Sequence, residues 1–196
     1  VFESITKSKL HRPVTGLSTD SREIREGDLY IAINGDKVNG HQFLNEVRQA
    51  GAVAALVCDV DKKIDIQQIK VQNTLKSISE IANKWRMKFG IPVIGITGSN
   101  GKTSTKELLS HVLSSKFKVH ATKGNFNTKI GLPLTLLGMK KNHNISIIEI
   151  GASVPGEIEA LCQLAKPTHG MITNISPAHL EGFGSIETIA YEKGAL

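Results

Sequence analysis

Cysteine is scarce in this chain of 196 residues, with only Cys58 and Cys162 present. A disulfide framework needs more cysteines at regular spacing, and a cysteine metal site needs them clustered. Neither pattern occurs, so we expect two buried, reduced thiols in a cytoplasmic protein. The sequence also lacks any apolar run close to the roughly 20 residues that span a bilayer. We therefore expect no membrane anchor.

Aromatic residues make up only 5% of the chain, and its net charge of +6 is not concentrated anywhere. Residues 1–90 hold 14 basic and 11 acidic side chains and residues 91–196 hold 10 and 7, so each part carries +3. Nucleic-acid binding favours a basic patch interleaved with stacking rings, and we expect no nucleic-acid partner. Residues 91–196 also contain no Asp and no Arg, so carboxylate chemistry there must use Glu.

Short apolar runs alternate with helical patterns along the whole chain. The clearest candidate strands are residues 29–33, 53–57, 92–96, 145–150 and 169–175. Such alternation predicts an α/β fold with a largely parallel sheet. A boundary within residues 75–91 divides the chain into two domains, 1–80 and 81–196.

The most informative stretch follows the candidate strand at 92–96. Glycines there let the backbone fold so that successive N–H groups point inward, and a helix N-terminus adds further amides. Lys102 can neutralise terminal phosphates, and the Thr103 hydroxyl can ligate Mg²⁺. The strict pattern G-x-x-x-x-G-K-[ST] is not met, because Ile96 stands at its first glycine. The shorter pattern Gly98-x-x-Gly101-Lys102-Thr103 therefore carries the prediction of a phosphate site. The alternative is a glycine-rich turn between a strand and a helix with a surface lysine. The candidate ATP-binding residues are Thr97, Gly98, Ser99, Asn100, Gly101, Lys102, Thr103 and Ser104.

A magnesium nucleotide site also needs a carboxylate, usually at the end of a neighbouring strand. Because Asp is absent from this part of the chain, the candidate is Glu149, which ends a strongly apolar run. The alternative is a glutamate that only caps a strand end. A helix is predicted after the glycine-rich loop, because Thr105, Leu108, Leu109 and Val112 recur at i, i+3, i+4 and i+7.

Four stretches together carry a family resemblance. They are residues 18–22 with 27–29, residues 97–103, residues 124–127 leading to 130–137, and residues 149–152 continuing through 179–184 to 193–194. They resemble the Mur ligases, ATP-dependent amide-forming enzymes of peptidoglycan synthesis, most closely the members that add D-alanyl-D-alanine. The resemblance implies a small N-terminal α/β domain that binds a uridine nucleotide and a P-loop-type, mostly parallel ATPase domain. It also implies that the ATPase domain is incomplete here and that a C-terminal domain is absent.

The resemblance implies roles for individual residues. Lys102 would contact the β- and γ-phosphates of ATP, and Thr103, Glu149 and His179 would hold Mg²⁺. Lys193 matches a lysine that reacts with CO₂ to give an anionic carbamate. The alternative for Lys193 is an ordinary solvated helix lysine, and the alternative for His179 is a loop histidine whose hydrogen bonds are satisfied. The implied catalytic residues are Lys102, His179 and Lys193.

The resemblance also implies a set of substrate-binding residues in both domains. They are Thr19, Ser21, Asp36, Lys37, Val38, Asn125 and Asn127. Residues 20–22 could instead form a turn or helix cap, and the two asparagines could cap the next helix.

The implied reaction begins when ATP phosphorylates the terminal carboxylate of UDP-N-acetylmuramoyl (UDP-MurNAc) tripeptide. The amine of D-Ala-D-Ala then displaces phosphate from the acyl phosphate. We expect a cytoplasmic monomer that acts on small molecules, and little turnover by this fragment alone. The alternatives are another Mur-type amide ligase (tripeptide-forming ligase or folylpolyglutamate synthase), a phosphate-loop kinase, and a non-catalytic nucleotide-binding module.

Overall fold

The computed structural model describes residues 1–35 and 38–196 and divides the chain into two compact units, Val1–Ile81 and Ala82–Leu196. Each unit contains a four-stranded sheet, and all neighbouring strands in the two sheets are parallel. The predicted α/β fold is therefore confirmed. No helix in the described ranges is long and apolar enough to cross a bilayer. Two candidate substrate residues, Asp36 and Lys37, lie outside the described residues.

The sheet of the first unit has the order β1-β2-β3-β4. Its strands are β1 (Gly16–Ser18), β2 (Asp28–Ile31), β3 (Ala54–Val57) and β4 (Gln67–Lys70). Its helices are α1 (Phe2–Thr6), two 3-10 turns (Ser21–Glu23 and Gly40–Phe43), α2 (Leu44–Gln49) and α3 (Thr74–Arg86), within which the division between the units falls. Strands β2 and β3 are buried along their whole length, as expected for parallel strands covered on both faces. Their apolar runs made them predictable, whereas α1 and β1 were missed because they are too short to show a period.

The sheet of the second unit has the order β6-β7-β5-β8. Its strands are β5 (Val93–Thr97), β6 (Val119–Ala121), β7 (Ile145–Glu149) and β8 (His169–Ile172). Its helices are α4 (Lys102–Ser114), α5 (Gly131–Leu137), α6 (Glu157–Ala165), α7 (Leu180–Phe183) and α8 (Ile186–Lys193). The core packs α5 and α6 against β7, with Leu132, Ile148 and Ile158 fully buried. Since all four strands are parallel, their carboxyl ends meet at one edge, where open α/β sheets bind ligands.

The helix predicted after the glycine-rich loop is present as α4, but two of its periodic apolar residues face solvent. Leu108 is 68% exposed and Val112 is 64% exposed, whereas Lys106 is only 1% exposed. The helix packs on β6 and β7, and its Thr103 and Lys106 side chains contact Glu149 and Thr122 at the ends of these strands. Its covered face therefore includes a lysine, while Thr105 and Leu109 are half-buried.

The two cysteines are half-buried, so the expectation of fully buried thiols is also wrong. Cys58 lies one residue beyond the end of β3, and Cys162 lies on α6 at the margin of the core. Burial still raises the pKa of Cys162 to about 11, and the nearby Glu192 adds to the effect. This thiol is therefore a poor nucleophile at neutral pH.

Helix α6 is held at both ends by buried charged side chains. At its start the carboxylate of Glu192, 3% exposed, accepts hydrogen bonds of 2.7 Å from the backbone N–H groups of Gly156 and Ile158. At its end the guanidinium of Arg86, 5% exposed, donates to the carbonyl oxygens of Ala165 and Lys166, each at 2.9 Å. Both charges complement the helix dipole. They fix α8 and the end of α3 against α6.

A buried histidine makes the stability of the second unit sensitive to acid. His120 on β6 is 9% exposed, and its Nδ1 lies 2.9 Å from the Ser146 hydroxyl. Burial lowers the pKa of His120 from 6.5 to about 4, and the neighbouring His143 contributes in the same direction. Between these values the unfolded chain binds a proton that the folded chain excludes. Stability is therefore lost as the pH falls below 6.5.

We expect the free energy of unfolding to decrease by up to about 3 kcal/mol between pH 6.5 and pH 4 because of His120. The measurement is urea unfolding followed by circular dichroism across this range, in the wild type and in His120→Asn. The variant should show a flatter pH profile. Replacement of the exposed His111 by Asn is the matched control, and equal slopes for all three proteins would contradict the assignment.

Candidate functional site

The glycine-rich loop joins the end of β5 to the start of α4. Gly98 has φ of +148°, and a Cβ atom there would collide with the hydroxyl of Thr173. Gly101 is the N-cap of α4, with φ of 78°, and Lys102 is the first residue of the helix. The N-terminus of α4 therefore follows the loop directly, as the sequence predicted, and its free amides favour an anion.

Residues after β8 hold this loop in place. The Ser99 hydroxyl donates to the Ser176 carbonyl at 2.7 Å, and the Asn100 side-chain amide donates to the Ser176 hydroxyl at 2.9 Å. The Asn100 backbone N–H donates to Asn174 Oδ1 at 2.9 Å. Sequence reasoning missed Asn174 and Ser176, because their contact depends on β8 pairing with β5, which no local pattern reveals.

The ammonium group of Lys102 lies over the loop. Its Nζ donates to the carbonyl oxygens of Gly98 at 2.7 Å and Ser99 at 3.3 Å. These weak neutral acceptors keep the charge at the loop and leave it able to move to a phosphate oxygen, which is a stronger acceptor.

Three predicted site residues meet at the carboxyl end of β7. Glu149 is 2% exposed, and its Oε2 accepts a hydrogen bond from the Thr103 hydroxyl at 3.0 Å. Its Oε1 accepts one from the Asn127 side-chain amide at 2.8 Å. The structure thus brings the helix after the loop, the β7 carboxylate and the loop after β6 to one point.

The donor set at this point fits Mg²⁺. The ion prefers hard oxygen ligands and usually combines one or two carboxylates with phosphate oxygens and water. Glu149 and Thr103 supply a carboxylate and a hydroxyl. Residues 1–35 and 38–196 contain no cluster of three or more His, Cys, Asp or Glu that could hold a metal. Nearby, the buried Thr97 Oγ1 has no hydrogen-bond partner in the described part of the chain.

The loop that carries Asn125 and Asn127 does not cap the next helix. The N-cap of α5 is Ile130, without a side-chain capping bond, while Asn127 contacts Glu149 and Asn125 is exposed. Gly131, the first residue of α5, packs directly against the backbone of Phe126, where a Cβ atom would collide. This close approach sets the position of Asn127.

Lys193, the last residue of α8, is only 4% exposed. Burial lowers the pKa of its ammonium group, the positive charge of Lys102 lowers it further, and Glu192 opposes both effects. The two lysines therefore face the same region. A depressed pKa increases the fraction of neutral amine, which is the form that reacts with electrophiles.

His179 lies at the start of α7. It is exposed, has φ of 52°, and precedes α7. Together with Ser153, Val154 and Leu180 it lines an open cleft of about 720 Å³. Within the described ranges no hydrogen bond joins His179 to Glu149.

In the first unit, two candidate substrate segments leave the sheet at the same edge. Thr19 follows β1, and Asn34 follows β2. Because β1 and β2 are parallel neighbours, both segments start from their carboxyl ends. Thr19 and Ser21 are half-buried and Val38 is 51% exposed. The suggested turn cap also exists, since Asp20 Oδ1 accepts from the backbone N–H of Arg22 at 3.0 Å.

His41 contacts two asparagines that follow β2 and the backbone just after β3. Its Nδ1 lies 3.1 Å from Asn34 Oδ1 and 2.8 Å from Asn39 Oδ1, and its Nε2 lies 2.8 Å from the backbone N–H of Cys58. The backbone donor requires an unprotonated Nε2, which places the proton on Nδ1. Burial lowers the pKa of His41, which favours the neutral ring that this geometry requires.

Both parts of the chain match known families. Residues 96–196 match the family described as "Mur ligase middle domain", and residues 13–86 match the one described as "Mur ligase family, catalytic domain".

Curated relatives resemble nearly the whole chain. It is 39% identical over 198 residues to the UDP-N-acetylmuramoyl-tripeptide–D-alanyl-D-alanine ligase of Synechocystis sp.. The aligned region covers 98% of this chain and 43% of that relative. The chain is 40% identical over 183 residues to the ligase of the same name from Bacillus subtilis, and this alignment covers 92% of this chain and 40% of that relative. The chain thus spans about two fifths of the length of these relatives.

Solved structures give the same picture. A crystal structure of MurF from Acinetobacter baumannii superposes with a TM-score of 0.92 at 30% identity, over 99% of this chain and 44% of that one. MurF from Thermotoga maritima in complex with ADP superposes with a TM-score of 0.82 at 36% identity, over 93% and 42%.

Proposed function

The chain belongs to the Mur ligase family, and from this premise we propose that the intact protein adds D-alanyl-D-alanine to UDP-MurNAc-tripeptide in peptidoglycan precursor synthesis. The observation that carries the proposal is the hydrogen bond between Thr103 and the buried Glu149 beside the Lys102 loop. This arrangement suits a magnesium-bound triphosphate at the edge of the sheet. The names of the relatives favour this acceptor and amine over those of the sister ligases.

In the first step we propose that ATP phosphorylates the terminal carboxylate of the tripeptide, which gives an acyl phosphate and ADP. Lys102 would leave the loop carbonyls and neutralise the β- and γ-phosphates. Mg²⁺, when bound by Thr103 and Glu149 and at a second position by His179, would supply further neutralisation of the transferring phosphoryl group. In the second step the amine of D-Ala-D-Ala attacks the acyl carbon and phosphate leaves as the amide forms. Asn125 and Asn127 would face the substrates.

We further propose that Lys193 is carbamylated. Its neutral amine would attack the carbon of CO₂, form an N–C bond and release one proton, which leaves an anionic carbamate. The supporting features are its burial and its depressed pKa next to Lys102. A carbamate would also relieve the repulsion between the two lysines. It would provide oxygen ligands where a cation cannot.

The first unit is proposed to bind the uridine nucleotide, with residues 1–80 as this domain and residues 81–196 as part of the ATPase domain. Thr19, Ser21 and Val38 would contact the nucleotide at the carboxyl edge of the first sheet. Asp36 and Lys37, which lie outside the described residues, are also proposed to bind it. The two substrates are small molecules, and we place the reaction in the cytoplasm with a monomeric enzyme.

The deciding experiment measures release of ADP and phosphate by the intact protein with ATP and Mg²⁺. For this ligase, phosphate release should require both UDP-MurNAc-tripeptide and D-Ala-D-Ala, and mass spectrometry should show the pentapeptide product. A phosphate-loop kinase would give a stable phosphorylated product without the amine. A tripeptide-forming ligase would prefer UDP-MurNAc-dipeptide with a diamino acid. Absence of ATP binding would instead indicate a non-catalytic module.

A further inference from the structure

A fully buried lysine lies next to the proposed metal carboxylate and takes no part in the reaction described above. Lys106 on α4, one turn after Lys102, is 1% exposed. Its Nζ donates to the Thr122 carbonyl at 2.8 Å and lies 2.9 Å from Glu107 Oε1 and 4.0 Å from Glu149 Oε2. Lysine is rarely buried, because removing an ammonium group from water is costly unless a partner compensates it. The contacts of the Lys106 ammonium group with Thr122, Glu107 and Glu149 provide this compensation.

Among the residues that the structure describes, Glu149 has no other charged partner within 4.0 Å. Its two oxygens accept hydrogen bonds from the neutral hydroxyl of Thr103 and the neutral amide of Asn127. In residues 1–35 and 38–196, Lys106 is the one cation within 4.0 Å of this carboxylate. The buried negative charge is thus balanced mainly by the buried positive one.

Thr122 fixes the separation between these two charges. Its carbonyl oxygen accepts from Lys106, and its hydroxyl accepts from the backbone N–H of Glu149 at 3.0 Å. One residue just past the end of β6 therefore holds both the lysine on α4 and the strand end that carries the glutamate. Lys106 cannot move away when a cation approaches Glu149 without breaking a buried hydrogen bond.

We propose that Lys106 is the resident counter-ion of Glu149 and that its fixed charge makes metal binding at Glu149 depend on a nucleotide phosphate. The proposal rests on the proposed function, since it concerns the same metal site. A divalent cation that binds Glu149 alone is repelled by the Lys106 ammonium, and screening is weak at a buried site. The phosphates of a bound nucleotide offset this repulsion. Metal and nucleotide then strengthen each other's binding.

Glu107 links the Lys106–Glu149 pair to the protein surface. Its side chain is 68% exposed, and its carboxylate lies 2.9 Å from the Lys106 ammonium. It therefore neutralises part of the charge that Glu149 would otherwise meet. Replacing Glu107 by Gln should strengthen the repulsion without disturbing the buried groups. Lys106 acts through Glu149 and is thus a positioning residue.

The test uses the intact protein and Mn²⁺ as the probe, with free Mn²⁺ measured by electron paramagnetic resonance. Titrations are run with Mn²⁺ alone and with ADP, corrected for the Mn²⁺–ADP complex in solution, and Glu149→Gln identifies the relevant site. Lys106→Met should bind Mn²⁺ alone about tenfold more tightly, as expected from loss of a nearby charge. The gain in Mn²⁺ affinity caused by ADP should shrink by a similar factor.

Glu107→Gln should weaken binding of Mn²⁺ alone by about twofold, because an exposed partner is largely screened. Glu159→Gln, at an exposed position on α6, is the matched control and should not change it. Unchanged or weaker Mn²⁺ binding by folded Lys106→Met would overturn the proposal. If that variant does not fold, an unchanged affinity in Glu107→Gln overturns it instead. Failure of ADP to bind would refute the proposed function, while the titrations with Mn²⁺ alone would still decide the role of Lys106.

Discussion

Replacing Lys102 by Met in the intact protein is expected to lower the rate of ATP-dependent phosphate release by about 10³-fold, the effect of losing one preorganised charge at a transferring group. The ammonium rests on the carbonyl oxygens of Gly98 and Ser99, so methionine leaves only neutral acceptors that the loop can expose to water. The fold should therefore survive. Steady-state kinetics and thermal unfolding of the same preparation provide the measurement.

The matched control is Lys116→Met, which removes an exposed lysine just beyond the end of α4. It should keep its activity. Loss of Lys102 also removes one of the influences that depress the pKa of Lys193, although burial, the main cause, remains. A rise of this pKa in Lys102→Met, followed by NMR of labelled lysine, would show that the two groups communicate. A rate within tenfold of the wild type would contradict the phosphate-binding role.

Replacing Arg86 by Met is expected to lower the free energy of unfolding of the second unit by about 3 kcal/mol, because a buried hydrogen-bonded charge is removed. The guanidinium donates to the carbonyl oxygens of Ala165, Lys166 and Phe89, each at 2.9 Å. Methionine fills much of the volume but leaves these acceptors without a donor at the end of α6.

Urea unfolding followed by circular dichroism measures this change, and amide hydrogen exchange locates it. Exchange should accelerate first in the last turn of α6. Arg48→Met, at an exposed position on α2, is the control and should stay within about 0.5 kcal/mol of the wild type. A similarly small effect for Arg86→Met would mean that water replaces the guanidinium at no cost.

Much of the fold could be read from the sequence where one signal dominated. The apolar runs of β3, β5 and β7 and the glycines before Lys102 were sufficient to predict the strands, the loop and the helix after it. Glu149 was identifiable because no aspartate competes with it in residues 91–196. Parallel strands then bring the loop and the carboxylate to one edge, a consequence of topology alone.

The remaining features depend on contacts between distant segments. The period of Leu108 and Val112 predicted the helix α4 but not its covered face, since both residues are exposed and the helix buries Lys106 instead. Asn174 reaches the glycine-rich loop only because β8 pairs with β5. Nothing in the sequence distinguishes Glu192 from other helix glutamates, because its role depends on two hydrogen bonds from the backbone at the start of α6.

The contact of Gly131 with the backbone of Phe126 has a consequence for mutational surveys. Even a methyl group at this glycine would push the neighbouring chain outward, and the amide of Asn127 would lose its hold on Glu149. Such a variant would look like an active-site defect in a growth selection, although the altered residue touches no ligand. Only a structural probe of the Asn127 amide would distinguish a displaced backbone at residues 126–127 from the loss of a catalytic side chain.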